Sequence, residues 1–374
     1  MNAKGRLFGS CFALTLAIAA CSEPPPGGRA AAAPQAPAAA TPKMAAQPAA
    51  PAVTASASPA AQAIDAAVFS AQPNPPAQPA DPASAMRVMI KTQVLLDRAR
   101  FSPGVIDGKP GENVRQALAA FQAARGLAAN GQLDEATWTA LNGAGAGPIM
   151  QDYTITEADV AGPFTPTIPK DYAEMAKLKR LGYATPAEML AERFHMDEAL
   201  LKSLNPDADF GAAGTVIVAA APGDDRMTAE VARIEVDKAE REVRAYGADD
   251  ALLAVYPATV GSTDRPAPSG EWAVNAVAPD PTWNYDPKRL TFGKVGEKLT
   301  IAAGPNNPVG SMWIDLTKDT YGIHGAPEPR LVGKVDSHGC VRLTNWDVNE
   351  LGAAVKKGAK VVFVGAETKT GAKA

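Results

Sequence analysis

Apolar positions recur along the chain in two periods, and the switch from one to the other divides it. Between residues 84 and 142 the spacing is helical: Val114, Ala117, Leu118 and Phe121 stand at i, i+3, i+4 and i+7, giving one apolar helix face. Asn113 is expected to cap that helix and Gly126 to end it. An earlier helix is expected near Met89 to Arg100, and a third behind an Asp134 cap carries Thr137, Trp138 and Leu141. Residues 145–178 show no usable pattern. Thr185-Pro-Ala-Glu188 then reads as a capping box with proline in the first turn, opening a helix to about Phe194. Another helix runs from Asp197 to Leu204, stopped by Asn205-Pro206, and Thr215 to Val218 reads as a strand.

From Val231 the period drops to two. Val231, Ile234 and Val236, then Val243 and Ala245, then Leu252, Ala254, Tyr256 and Val260 predict short strands. Turns are expected at Asp237-Lys238, Gly247 to Asp250 and Pro266 to Gly270. Gly310 to Ile314 is a further strand, Asn345 caps a helix to about Lys357, and Lys360 to Val364 closes the sheet. The fold class is therefore multidomain α+β. A mainly β, sandwich- or barrel-like domain over 230–365 is preceded by a three-helix unit over 84–143 and a small α/β module over 179–220.

The first part of the chain is different in kind. Lys4 and Arg6 precede an apolar run from Leu7 to Ala20, which reads as a secretory signal peptide over 1–20. Ile18-Ala19-Ala20-Cys21 resembles the bacterial lipobox, implying lipidation at Cys21, export to the periplasm and a membrane anchor. Residues 21–83 are dominated by Ala and Pro, cannot bury enough apolar surface to offset their ordering entropy, and read as a disordered tether. The net charge of −4 argues against nucleic acid as a partner.

With Cys11 removed and Cys21 acylated, Cys340 of the three cysteines is left as the only thiol. An unpaired thiol in an oxidising compartment invites side reactions, which is easier to understand if the thiol is needed. Two of the three histidines, His324 and His338, lie near it in the sequence. A thiolate with an adjacent imidazole is the minimum machinery for acyl transfer. Gly325 and Gly339 remove side chains where a substrate backbone could approach, and the amides of Gly339 and Cys340 are the expected oxyanion donors. A zinc site built from His324, His338 and Cys340 is disfavoured, because His-x-Cys is too close and only Asp336 offers a fourth ligand. The third histidine, His195, lies apart and reads as a surface or capping residue.

The segments Ile323-His324-Gly325 and Ser337-His338-Gly339-Cys340-Val341-Arg342 resemble the L,D-transpeptidase catalytic domain, over roughly 230–364. The resemblance implies a cysteine enzyme of the periplasm or cell surface that attacks the L-to-D bond of peptidoglycan tetrapeptide stems and needs no cofactor. Cys340 is then the nucleophile and His324 the general base, oriented by the Gly325 carbonyl. His338 supports the thiolate or oxyanion, and Ser337 and Gly339 line the substrate and oxyanion side; the planar fork of Arg342 suits a stem carboxylate, with a surface ion pair as the alternative. Many members carry Asn at the Arg342 position. Pro103 to Gly108, Phe121-Gln122 and Thr137-Trp138-x-x-Leu141 resemble the three-helix peptidoglycan-binding domain, and 179–220 resembles a LysM glycan-binding module. The implied partners are stem peptides and glycan, with another stem or a protein lysine as acyl acceptor. The alternatives are a hydrolase of the same fold, with water resolving the thioester, and a non-catalytic wall anchor.

Overall fold

The computed structural model describes residues 55–70, 81–145, 147–224, 226–288, 296–337 and 339–367. The expected signal peptide, Cys21 and most of the tether lie outside them. Four helices come first: α1 (Pro59–Asp65), α2 (Pro82–Arg98), α3 (Glu112–Ala124) and α4 (Glu135–Ala144). Asp134 caps α4 as expected, its carboxylate accepting from the Thr137 amide. Asn113 does not cap α3. Gly111 holds that position, and the Asn113 side chain donates instead to the Val332 carbonyl at 3.0 Å, tying the helix start to the catalytic part of the chain.

Strand β1 (Met150–Thr154) follows, then the short helices α5 (Glu157–Ala161) and α6 (Tyr172–Met175), then α7 (Pro186–Arg193), α8 (Glu198–Leu204) and β2 (Val216–Ala220). Thr185 caps α7 through the Glu188 amide, while the Glu188 carboxylate reaches back to the Ala184 amide rather than to Thr185. β1 pairs antiparallel with β2, so α7 and α8 sit inside a strand–helix–helix–strand unit whose first strand lies well upstream of residue 179.

The rest of the chain forms β3 (Val231–Asp237), β4 (Glu242–Tyr246), β5 (Leu252–Pro257), β6 (Gly270–Pro279), β7 (Trp283–Tyr285), β8 (Leu299–Ile301), β9 (Met312–Leu316), β10 (Gly322–His324), β11 (Val341–Arg342), α9 (Asn345–Ala354) and β12 (Val355–Val364). Thr344, not Asn345, caps α9. Eight strands make one mixed sheet in the order β11-β10-β9-β6-β12-β3-β4-β5, and β7 and β8 form a separate hairpin. Thr259, just beyond β5, exchanges both backbone hydrogen bonds with Arg342 of β11, at 2.9 and 2.8 Å. The two edges of the sheet are thereby joined, which satisfies edge groups that would otherwise stay open and curls the sheet into a barrel. Val236, Val243, Tyr256, Ile314, Ile323 and Val341 fill its interior with Leu351 of α9.

The helical and α/β parts are not strung out as beads. One apolar core runs through α1 to α4, β1, α7, α8 and β2, and takes in Val255 of the barrel. At the junction His195 is buried, its Nδ1 3.0 Å from an Asp97 oxygen and its ring stacked on Trp346 at 4.9 Å. The expectation of a surface residue is therefore corrected: the left-handed turn at His195, φ 56°, drives the imidazole inward between α2 and α9. Burial pushes the carboxyls of Glu192 and Asp347, at the same junction, up to about 8, so both carry a proton at neutral pH.

Candidate active site

The closing seam of the barrel carries the chemistry. β10 runs parallel to β11, with Ile323 opposite Val341 and His324 opposite Arg342. Cys340, half-buried, immediately precedes β11. Its thiol lies 3.8 Å from the Thr320 carbonyl, and the Gly322 amide faces the sulfur from β10. Thr320 takes φ 70°, a strained conformation for a β-branched residue, which aims that carbonyl at the thiol. The loop leading to Cys340 is pinned to the extension of β5: the Gly333 amide donates to Thr259 Oγ1 and the Ser337 amide to the Val260 carbonyl, at 3.0 and 2.9 Å. The Arg241 guanidinium holds the Val335 carbonyl from below.

His324 ends β10 and is buried, with Nδ1 2.7 Å from the Gly325 carbonyl oxygen. A carbonyl can only accept, so Nδ1 carries the proton and Nε2 is left as the basic nitrogen. Its ring stacks on Trp313 of the neighbouring β9 at 5.3 Å. Burial, with the nearby Arg342 charge, drives the imidazole down to about 3. Burial pushes the Cys340 thiol up, partly offset by the Gly322 amide and Arg342. Burial thus favours the neutral form of both groups. One consequence is measurable. A base whose conjugate acid is formed only near pH 3 stays competent as the medium is acidified, so kcat/KM is expected to show no acid limb between pH 8 and 5. A limb centred near 6.5 would mean that burial does not depress the imidazole, or that another group is the base.

The other expected residues are placed as follows. The Gly339 amide is engaged by Ser337 Oγ at 3.1 Å, and that hydroxyl in turn donates to the Cys340 carbonyl at 2.6 Å. Ser337 therefore shapes the turn before the thiol, and of the two expected oxyanion amides only that of Cys340 is not claimed this way. Gly339 adopts φ +117°, a region suited to glycine. Gly325 answers a different need from the one expected. A Cβ there would lie 2.2 Å from Asn345 Oδ1, so the missing side chain makes room for Asn345 and not for substrate. Arg342 is half-buried beside Cys340, and its Nε is buried without a hydrogen-bond partner. His338 lies outside the described residues. Among the described residues no cluster of three His, Cys, Asp or Glu side chains is placed to hold a metal.

Sequence reasoning did not single out Thr320 or Trp313. Asn345 accepts from the Ser311 amide at 3.0 Å and donates to Glu192 at 3.0 Å and to the Pro305 carbonyl at 3.2 Å, locking the backbone behind Gly325. Asn345 was visible only as a helix start, and nothing local ties it to His324.

Chemically this is a site for acyl transfer to sulfur, set in the seam of a closed mixed sheet. A family model of the L,D-transpeptidase catalytic domain matches residues 231–363, and one of a peptidoglycan binding domain matches 89–141. YkuD of Bacillus licheniformis, named as an L,D-transpeptidase, is 31% identical over 176 residues, covering 46% of this chain and 90% of that one. YkuD of Bacillus subtilis, named likewise, is 41% identical over 78 residues, 20% of this chain and 48% of its own length. The crystal structure of L,D-transpeptidase 3 from Mycobacterium tuberculosis with a faropenem-derived adduct overlaps 41% of this chain and 64% of that one, at 15% identity and a TM-score of 0.30, too distant to add to the fold. The chain belongs to the L,D-transpeptidase family.

Proposed function

We propose that Cys340 is the nucleophile of an L,D-transpeptidase acting on peptidoglycan stem peptides, with His324 as its base. The observation that carries this reading is the 2.7 Å contact of His324 Nδ1 with the Gly325 carbonyl, which leaves Nε2 as the proton acceptor on the strand beside the thiol. As Cys340 Sγ attacks the carbonyl carbon of the third stem residue, its proton passes to His324. The peptide bond to the terminal D-alanine breaks, the departing amine takes that proton, and a thioester remains. An acceptor amine then attacks the thioester, loses its proton to His324, and the thiol is restored. The Cys340 amide faces the developing oxyanion, and His338 supports the thiolate or the oxyanion.

Arg342 receives a stem carboxylate. A buried guanidinium with an unpaired Nε gains most from an anion, and a planar fork suits a carboxylate. Pairing it also screens the positive charge that depresses His324, so a bound substrate makes its own base stronger.

Residues 84–143 form the wall-binding unit, and the strand–helix–helix–strand unit of β1, α7, α8 and β2 a LysM-like module for glycan. Both raise the local concentration of stems at Cys340. Export to the periplasm and anchoring at a lipidated Cys21 complete the reading. Labelled palmitate is expected on the wild type and not on Cys21→Ala; label on both, or on neither, removes the anchor. The test of the activity is product analysis on a purified tetrapeptide muropeptide with and without an acceptor stem: crosslinked dimers mark transpeptidation, and tripeptide alone marks water as the acceptor.

A further inference from the structure

The catalytic base is held from behind by a part of the chain that lies in neither matched family region. Helix α7 falls between the stretches matched at 89–141 and 231–363, and its Glu192 is buried. Glu192 Oε2 accepts from Asn345 Nδ2 at 3.0 Å, and the Tyr183 hydroxyl stands 3.5 Å from the same oxygen. The other Glu192 oxygen is buried without a hydrogen-bond partner. A buried acid contributes less to stability than an apolar side chain of its size, so its use here fits the fixing of a geometry.

Asn345 uses every polar atom it has. Its Nδ2 also donates to the Pro305 carbonyl at 3.2 Å, and its Oδ1 accepts from the Ser311 amide at 3.0 Å. The same Oδ1 lies against the backbones of Gly310 and Gly325, where a Cβ on either glycine would overlap it. One side-chain amide thus separates Glu192 from the residue whose carbonyl accepts from His324 Nδ1 at 2.7 Å. The seat of α7 on the barrel is itself specific. Glu188, one turn before Glu192, accepts from Asn306 Nδ2 at 2.7 Å, and that side chain also donates to the Gly182 carbonyl at 3.1 Å. The Leu181 amide donates to the Ala303 carbonyl at 2.9 Å, and the Leu181 carbonyl accepts from the Asn306 amide at 3.0 Å. Residues 303–306 are thereby tied to the start of α7, and Pro305 among them is the second acceptor of Asn345.

We propose that Glu192 is a positioning residue for the base: through Asn345 it fixes the Gly310 and Gly325 backbones, and so the Gly325 carbonyl that holds His324 in the tautomer with Nε2 free. This rests on the role given to His324 above. An α/β unit outside the catalytic family region then sets the geometry of the base. Without an acceptor at position 192, one Asn345 donor is left buried and unpaired, and the amide regains a partner by turning away from the Ser311 amide and the two glycines.

The experiment compares Glu192→Leu with Glu192→Gln in the full chain, by steady-state kinetics on a tetrapeptide stem and by long-range proton–nitrogen correlation spectra of the histidine rings at neutral pH. His324→Ala identifies the His324 signals by their loss. Leucine fills the space without an acceptor, whereas glutamine matches the protonated acid in shape and keeps one. The wild type is expected to show His324 protonated at Nδ1 alone. Glu192→Leu is expected to show both tautomers and to lower kcat about tenfold with KM unchanged, and Glu192→Gln to restore what the leucine form loses. Thermal melts and far-ultraviolet dichroism show that each form is folded; should Glu192→Leu not fold, Glu192→Met, which also lacks an oxygen acceptor, makes the same comparison. Wild-type kcat with a single tautomer in the form lacking the acceptor, an equal loss with Glu192→Gln, or a loss confined to KM overturns the inference. Cys340-dependent turnover with a tautomer indifferent to residue 192 leaves the transpeptidase reading standing and removes only this one. A tautomer that follows residue 192 without Cys340-dependent turnover does the reverse.

Discussion

Cys340→Ala is expected to abolish D-alanine release from a tetrapeptide stem, a loss of at least about 10⁴-fold, while sedimentation with purified sacculi is retained. The size of the effect follows from the chemistry. Without sulfur there is no thioester, and neither the Cys340 amide nor Arg342 can form a bond to carbon. The surroundings of the thiol make a substitute unavailable. The Ser337 hydroxyl, three residues before it, is committed to the Cys340 carbonyl and the Gly339 amide, and Thr320 meets the thiol through its backbone carbonyl. Folding should be little affected, since the side chain is half-buried and its sulfur makes only weak contacts, with the Thr320 carbonyl and the Gly322 amide. Intact mass of the wild type after mixing with stem should show an adduct that the variant lacks. Unchanged turnover in the variant would remove the thiol mechanism, and loss of wall binding along with activity would point to misfolding.

Gly325→Ala should be the second most damaging change, although it adds a single methyl group. That methyl would sit 2.2 Å from Asn345 Oδ1, 3.1 Å from the Ser311 nitrogen and 3.2 Å from the Gly310 Cα. Asn345 cannot retreat, because it is held at once by the Ser311 amide, the Pro305 carbonyl and Glu192. The backbone at 325 must move instead, and it carries the carbonyl that fixes the His324 tautomer. A displacement of that kind beside a reacting group is expected to lower kcat about 10²-fold, and overpacking to cost about 1–3 kcal/mol of stability. Steady-state kinetics and a thermal melt measure the two losses separately. Gly325→Ala combined with Asn345→Gly restores the space and should recover part of kcat. Wild-type kcat in the single variant would show that the Gly325 carbonyl does not hold the base in place.

Much of the fold could be read from local pattern. The period-two alternation from Val231 to Val260 became strands β3 to β5, with Ile234, Val236, Val243 and Tyr256 inside the barrel. Asp134 and Thr185 were legible as caps because an N-cap is an interaction over two or three residues. Where the same logic failed, a distant partner had outbid the local one. Asn113 gives its amide to Val332 and Asn345 its side chain to Glu192, so Gly111 and Thr344 start those helices. His195 looked like a surface residue because its partners, Asp97 and Trp346, lie about 100 and 150 positions away in the chain.

The sequence by itself determined which atoms are available for chemistry: a thiol at Cys340, an imidazole at His324, a guanidinium at Arg342, and glycines where a side chain is not tolerated. It also determined several helix and strand starts, those that depend on neighbours a few residues apart. Only the tertiary structure decided the state and the company of these groups. The bridge from Thr259 to Arg342 closes the barrel and sets Cys340 in its seam, and Asn345 and Glu192 back the carbonyl that orients His324. Burial then holds the thiol and the imidazole in their neutral forms. The reason is physical: desolvation and Coulomb energies depend on everything packed around a group in space, and in this chain the groups packed around Cys340 and His324 come from segments far apart in sequence.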